Sequence, residues 1–301
     1  MIKVKSIDFS YQKSEKVIND LSFDVPQNSI FGFLGANGSG KTTAIRLLLN
    51  LCKPNNGEIL IQGKKIASNY LELYKNIGTL IEDPTFYGHL SGYDNLKLLA
   101  KFYEVDNYRI EEVLDLVGLL YAKDKKANKY SLGMKQRLGI ASSILHDPDI
   151  LILDEPLNGL DPKGIAEIRS LFFKFQKEDN KTIFISSHLL TEIENTCSDV
   201  CIIDKGKSLF TGKIETLKNQ LSTGESYHIN CNNPEQAKLI LTEKCSLKNV
   251  IIKDKTLTFN TKNSDEIPQY IKALVLENIL LYEVSKQKLN LEDLYLTLTK
   301  K

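Results

Sequence analysis

The chain has 301 residues, 42% hydrophobic and 26% charged, with 39 basic and 38 acidic side chains and no Trp. That length holds one large domain or two, and a net charge of +1 gives no basic face of the kind that non-specific nucleic-acid binding needs. The N-terminal MIKVKSIDFSYQ lacks the apolar core of a secretory signal, and no apolar run reaches the ~20 residues of a membrane helix. The expectation is a soluble cytoplasmic protein with no direct nucleic-acid partner, reaching any membrane through another subunit.

Residues 1–33 read as short strands: IKVKSIDFSY and KVINDLSFDV alternate apolar and polar residues around a KSEK turn. SIFGFLG is a buried strand running into glycines. TTAIRLLLNLC has helical spacing and stops at Lys53-Pro54, and GEILIQGKKI is a further strand. IGTLIEDPTFY, residues 77–87, is strand-like until Glu82, where a carboxylate is followed directly by Asp83 and Pro84. The period then turns helical in YDNLKLLAKFY and RIEEVLDLVGLL. SLGMKQRLGIASSILHDP is another helix, with Ser131 as N-cap and Asp147-Pro148 as its end.

DILILDEP is a buried strand, GIAEIRSLFFKFQKE a helix, KTIFISSH a strand, and VCIIDKGKSLFTG a strand pair about a Lys-Gly turn. The cysteines (Cys52, Cys197, Cys201, Cys231, Cys245) are odd in number and scattered, so they form no disulfide framework. Cys197 and Cys201 fall four apart on a predicted helix without a second ligand pair, and read as small buried thiols. Past Leu221 the texture changes. SYHINC, VIIKDKTLTFN and ILLYEVSKQ read as strands, PEQAKLILTEK and EIPQYIKALVLE as helices, and LEDLYLTLTK as a closing amphipathic helix.

Strands alternating with helices indicate an α/β fold with a mainly parallel sheet. The antiparallel strands at the start and a helical block at about 88–147 are additions to it. The expected division is a domain at 1–221 and a small α+β accessory domain at 222–301.

GANGSGKT, Gly35 to Thr42, fits G-x-x-x-x-G-K-[ST] and lies between a predicted strand and a predicted helix. Glycines let the backbone approach closely, so that successive N–H groups and the helix N-terminus face phosphate oxygens. Gly35, Ala36, Asn37, Gly38, Ser39, Gly40, Lys41, Thr42 and Thr43 are therefore candidates for ATP binding, with Lys41 on the β- and γ-phosphates and Thr42 on Mg²⁺. A plain glycine turn is the competing reading, but at a Gly usage of ~7% the pattern arises by chance about once per hundred chains. Asp154 and Glu155 end an apolar strand, where α/β sheets bind ligands. Asp154 fits a Mg²⁺-holding acid and Glu155 a general base. His188 ends the ISSH strand, where a neutral imidazole suits the γ-phosphate and would hold Glu155 in place.

SLGMKQRLGIA, Ser131 to Ala141, resembles the LSGGQ-type signature of ATP-binding cassette (ABC) ATPases. Tyr11, the phosphate loop, the Asp-Glu pair, NGLD at Asn158–Asp161 and His188 follow the family's order, and the resemblance covers residues ~1–220. It implies a P-loop cassette with a RecA-like core, an antiparallel β subdomain and a helical subdomain, using ATP and Mg²⁺. It implies that Tyr11 stacks on adenine, that Ser131, Leu132, Gly133, Met134 and Gln136 close over ATP held by a second cassette, and that Asp161 links the two sites. The chain carries one cassette, so a homodimer or close pair is expected, together with a separate transmembrane permease.

In most of the family Glu82 is a glutamine near Mg²⁺, and a carboxylate can still ligate that hard cation. The IEDPTFY loop and the C-terminal segment resemble cassettes of bacitracin-resistance and lantibiotic-immunity exporters, with Phe86 and Tyr87 placed to meet the permease. Export of antimicrobial peptides or drugs is the expected role. An importer ATPase with a C-terminal regulatory domain, or a non-transport cassette acting on ribosome or DNA, are the rival readings.

Overall fold

The first two strands, β1 (Ile2–Phe9) and β2 (Ile18–Val25), bury alternate residues, as a half-covered antiparallel pair should. β3 (Ile30–Leu34) is buried along its whole length and leads into α1 (Lys41–Leu48). The chain then forms β4 (Asn56–Ile61), β5 (Lys64–Lys65), α2 (Ile66–Tyr74) and β6 (Ile77–Leu80). A helical block follows, α3 (Gly92–Tyr103), α4 (Tyr108–Leu116) and α5 (Leu132–Ile144). It returns through β7 (Ile150–Asp154), α6 (Pro162–Lys177), β8 (Thr182–Ser187), α7 (Leu190–Thr196), β9 (Asp199–Asp204), β10 (Lys207–Lys213) and α8 (Ile214–Leu221).

This computed structural model describes residues 1–12, 15–221, 225–245, 247, 250–253, 256–261, 264–287 and 290–299. It divides into two compact units, Met1–Ile214 together with Thr297–Lys301, and Glu215–Leu296. Lys13 and Ser14 of the expected KSEK turn lie outside the described residues.

Six strands of the first unit form one sheet in the order β10-β9-β3-β8-β7-β6, parallel except for β10. β3, β7 and β8 are buried at every residue, the mark of strands covered on both faces. A second sheet, β2-β1-β4-β5, is antiparallel. Phe23 of β2 stacks on Phe31 at 5.9 Å, and Phe31 on Phe184 at 5.8 Å, so aromatic rings bind the two sheets into one core. Ser131 caps α5 by accepting from Met134 N, as expected, and Ser91 caps α3 in the same way. α5 packs on β6 almost backbone to backbone: a Cβ on Gly78 would lie 1.9 Å from the Ser143 carbonyl oxygen.

Two local expectations change. Ile66 opens α2 rather than closing a strand, and Asn69 inside that helix has non-helical angles that blur its period. α7 has seven residues, too few to show a period. Cys197 caps that short helix and Cys201 lies in the middle of β9, so the two do not share a helix. Both are buried thiols, and burial pushes that of Cys201 up to about 12.

The second unit runs β11 (Glu225–Cys231), α9 (Pro234–Lys244), β12 (Ile251–Lys253), β13 (Thr256–Thr261), α10 (Ile267–Leu276) and β14 (Leu281–Gln287). α11 (Leu291–Thr299) ends the chain's described structure. The strand order β12-β13-β11-β14, antiparallel throughout, is a split βαβ arrangement. Its core gathers Ile229, Leu241, Leu257, Phe259 and Leu274. Among the described residues no helix is long and apolar enough to cross a membrane.

Candidate functional site

β3, β8 and β7 lie side by side, so the loops at their carboxyl ends converge. The loop after β3 turns on Gly38 (φ 80°) and Gly40 (φ 106°) before α1 begins at Lys41. Gly35 admits no side chain, because a Cβ there would lie 2.4 Å from Ser39 Oγ and 2.5 Å from the Ile203 carbonyl oxygen. Lys41 is buried, with Nζ donating to the carbonyls of Gly35 at 2.9 Å and Ala36 at 3.4 Å. Ser39 Oγ is buried without a hydrogen-bond partner. A buried cation inside a glycine-rich loop, beside an orphaned hydroxyl, suits an anion with several oxygens.

Asp154 is buried and engaged on both oxygens: Thr42 Oγ1 donates to Oδ2 at 2.8 Å, and Ser186 Oγ donates to Oδ1. Ser186 also accepts from Glu155 N at 3.0 Å, so one hydroxyl ties β7 to β8. Glu155 sits in the left-handed region (φ 49°), rare for a residue with a long side chain and held by its neighbours. Its Oε2 lies 3.0 Å from His188 Nδ1 and its Oε1 lies 3.6 Å from Lys41 Nζ. Lys41, Thr42, Thr43, Glu155, Asn158 and His188 line one open cavity of about 450 Å³, together with Asn37, Gly38 and Gly40, a size that suits a small-molecule ligand.

The other candidates separate into two groups. Ser131, Leu132 and Asp161 are exposed. Leu132 leans on Gly159, where a Cβ would lie 2.6 Å from Leu132 Cδ2, and a Cβ on Gly133 would meet the Gly159 carbonyl oxygen at 3.0 Å. Asp161 caps α6 by accepting from Gly164 N at 2.9 Å, and with Met134 it lines a separate groove of about 280 Å³. Gln136, expected to face a second cassette, is buried instead and donates to the Glu155 carbonyl oxygen at 3.0 Å. The geometry makes it a tie between α5 and the acidic strand end.

Tyr11 is 53% exposed, packs edge-on against Phe9, and carries its hydroxyl 3.4 Å from Thr43 Oγ1. Glu82 is not bound to Thr42 or Asp154. Its carboxylate pairs with Arg46, which also donates to Tyr11 Oη at 3.1 Å. Arg46 and Ser186 were not among the sequence candidates. Arg46 falls four residues after Thr42, a spacing that would have placed it on the same helix face. Beyond Glu82, Asn95 is buried and clamps the loop by bonding both the N–H and the carbonyl of Tyr87. A groove of about 260 Å³ opens there, lined by Phe86, Tyr87, Leu98 and Leu99 among others.

A family model described as ABC transporter matches residues 18–158. The ABC transporter ATP-binding protein YhcH of Bacillus subtilis is 40% identical, covering 95% of this chain and 92% of its own length. The bacitracin transport ATP-binding protein BcrA of Enterococcus faecalis is 37% identical over 93% of this chain and 90% of its own. The lantibiotic transport ATP-binding protein SrtF of Streptococcus pyogenes is 36% identical over 73% of this chain and 93% of its own. A solved ATP-binding subunit of an ABC transporter matches with a TM-score of 0.66 and 27% identity, over 73% of this chain and 92% of that one.

Proposed function

The chain belongs to the ABC transporter ATP-binding family, and from that premise we propose that it powers a separate membrane permease exporting an antimicrobial peptide or drug. As a member it is an ATP-binding, ATP-hydrolysing P-loop subunit. The observation that carries the catalytic reading is the convergence of Lys41, Thr42, Glu155 and His188 on one cavity, with Asp154 bonded to Thr42. The cargo reading rests on relatives named for transport of bacitracin and of lantibiotics, both antimicrobial peptides.

In this reading the triphosphate lies on the Gly35–Thr42 amides, with Lys41 as the point charge and Tyr11 as a platform for adenine. Thr42 and Asp154 are the residues that would hold Mg²⁺. Among the described residues no cluster of three His, Cys, Asp or Glu is arranged to hold a metal alone. That suits Mg²⁺, which takes one or two carboxylates and completes its shell with phosphate and water. Bound there, the ion supplies positive charge against the phosphoryl oxygens. Glu155 accepts a proton from the attacking water, the bond from the γ-phosphorus to the ADP oxygen breaks, and ADP and phosphate leave. His188 orients Glu155 through the 3.0 Å contact.

Ser131, Leu132, Gly133 and Met134, at the exposed start of α5, face the ATP of a second cassette, with Asp161 joining the two sites. Residues 1–221 act as the cassette and 222–301 as an accessory domain. The groove at Phe86 and Tyr87 receives the permease, which holds the chain at the inner face of the cell membrane. The test is to tag the protein in its own cell, solubilise membranes gently and identify what co-purifies. A multi-span permease is expected. Recovery of ribosomes, DNA or soluble partners alone would overturn the transport reading.

A further inference from the structure

Glu155 is twisted into the left-handed region (φ 49°), and Pro156 follows it directly. A long side chain disfavours that twist, and a residue before proline prefers an extended backbone, so the conformation persists only where its surroundings impose it. Three segments impose it. From β8, the Oγ and the carbonyl oxygen of Ser186 both accept the Glu155 N–H, at 3.0 and 3.2 Å. From the turn itself, Asn158 N donates to the Glu155 carbonyl oxygen at 3.2 Å. From α5, Gln136 Nε2 donates to the same oxygen at 3.0 Å, and Gln136 is only 3% exposed. An amide so deeply buried is costly to leave without its hydrogen bond, so the contact fixes Gln136 as firmly as it fixes the carbonyl.

The Glu155 carboxylate lies at the far end of the side chain that this backbone twist aims. Its Oε2 meets His188 Nδ1 at 3.0 Å, and its Oε1 lies 3.6 Å from Lys41 Nζ. A general base must stand within hydrogen-bond reach of the proton it takes, and a misplacement of about 1 Å can cost about 100-fold in rate. We propose that Gln136 is a positioning residue for ATP hydrolysis: through the Glu155 carbonyl it holds the twist that aims the carboxylate at the attacking water. The proposal rests on the assignment of Glu155 as base above. Asn158 keeps the carbonyl oxygen bonded when Gln136 is lost, so the amide governs the direction of the peptide more than its satisfaction. Loss of Gln136 therefore spares the phosphate loop and falls on the chemical step.

The experiment is steady-state ATP hydrolysis and equilibrium ATP binding by the full chain. The proteins compared are wild type, Q136M, E155Q, Q136M/E155Q and I140V. Methionine keeps the length of the side chain and removes the donor. I140V trims a buried side chain of the same helix and measures what a purely structural loss does. Q136M should lower kcat about 10- to 30-fold, with KM and ATP affinity within about twofold of wild type. In E155Q, whose residual rate no longer uses the base, Q136M should change that rate by less than about twofold. I140V should lower the melting temperature and leave kcat within about twofold of wild type. Unchanged kcat in Q136M, an equal fall from Q136M with and without E155Q, or an equal fall in I140V would overturn the proposal. Q136L repeats the comparison if Q136M fails to fold. Normal turnover in E155Q overturns the base assignment and the proposal with it, whereas turnover lost in E155Q and normal in Q136M strikes the proposal alone.

Discussion

Each carboxylate oxygen of Asp154 is already satisfied within the chain, one by Thr42 and one by Ser186. Ser186→Ala removes a hydrogen bond to a buried charge, which costs about 2 kcal/mol and should appear as a lowered melting temperature. It should also raise the magnesium needed for ATP binding. Glu155 stands differently, with one oxygen on His188 and one toward Lys41. Glu155→Gln should leave ATP binding near wild type and cut hydrolysis by about 100-fold or more, measured as phosphate release. Normal turnover in that variant would remove Glu155 as the base. Lys41, Thr42, Asp154, Glu155 and His188 were legible in sequence because each belongs to a short continuous pattern beside a predicted strand. Arg46 and Ser186 were not. An arginine on a helix reads as a solvated face and a serine in a buried strand as packing, until tertiary contacts bring Tyr11 and Glu82 to the one and Asp154 to the other.

At the scale of elements, the contact between α5 and β6 leaves no room for a methyl group. Gly78→Ala would press against the Ser143 carbonyl, Leu151 and Pro148. A loss of about 3 kcal/mol is expected, read as a lower urea midpoint at unchanged slope. Directly before β8, Lys181 is buried and donates to Asp147 at 2.7 Å and to the Pro148 carbonyl oxygen at 2.8 Å, two residues that follow α5. The Lys181 ammonium holds the Asp147 carboxyl below its ordinary value. Stability from this pair is therefore complete above the usual carboxylate pKa, near 3.9, and drains as pH falls through the lower folded-state value. Asp147 is itself largely exposed, so the pair contributes at most about 1 kcal/mol. Asp147→Asn should flatten that part of the acid unfolding curve and leave the curve above pH 5 parallel to wild type. The long strands and helices could be read from sequence through their period, whereas α2 and α7 could not. One is broken at Asn69 and the other is seven residues long, so neither repeats enough turns to show a face.

For the whole molecule, the proposed mechanism gives the exposed start of α5 and the cavity at Lys41 different work, since one chain would supply a phosphate loop and, elsewhere, a helix that closes on a second cassette. Glu155→Gln held with ATP and magnesium should therefore elute as a dimer, and the ADP-bound wild type as a monomer, by light scattering. A monomer under both conditions would remove the two-cassette mechanism. The mainly parallel sheet was legible because β3, β7 and β8 are continuous apolar runs flanked by helices. The order of strands in the second unit was not, since alternation tells which face of a strand is buried and not which strand lies beside it.

That order of strands has a further consequence in the first unit, on the timescale of synthesis. β3 carries the phosphate loop, yet its two neighbours are β8 and β9: Ile30 pairs with Ile183, and Phe31 with Asp199. At 5–20 residues per second the ribosome needs about 8 to 30 s to make the intervening chain. Through that interval Ile30, Phe31, Phe33 and Leu34 have neither sheet neighbour, and the Asp154–Glu155 pair reaches them only near its end. The nascent chain therefore displays its most apolar strand long before it owns a machine able to spend ATP, a window in which a chaperone has something to hold and hydrolysis has not begun.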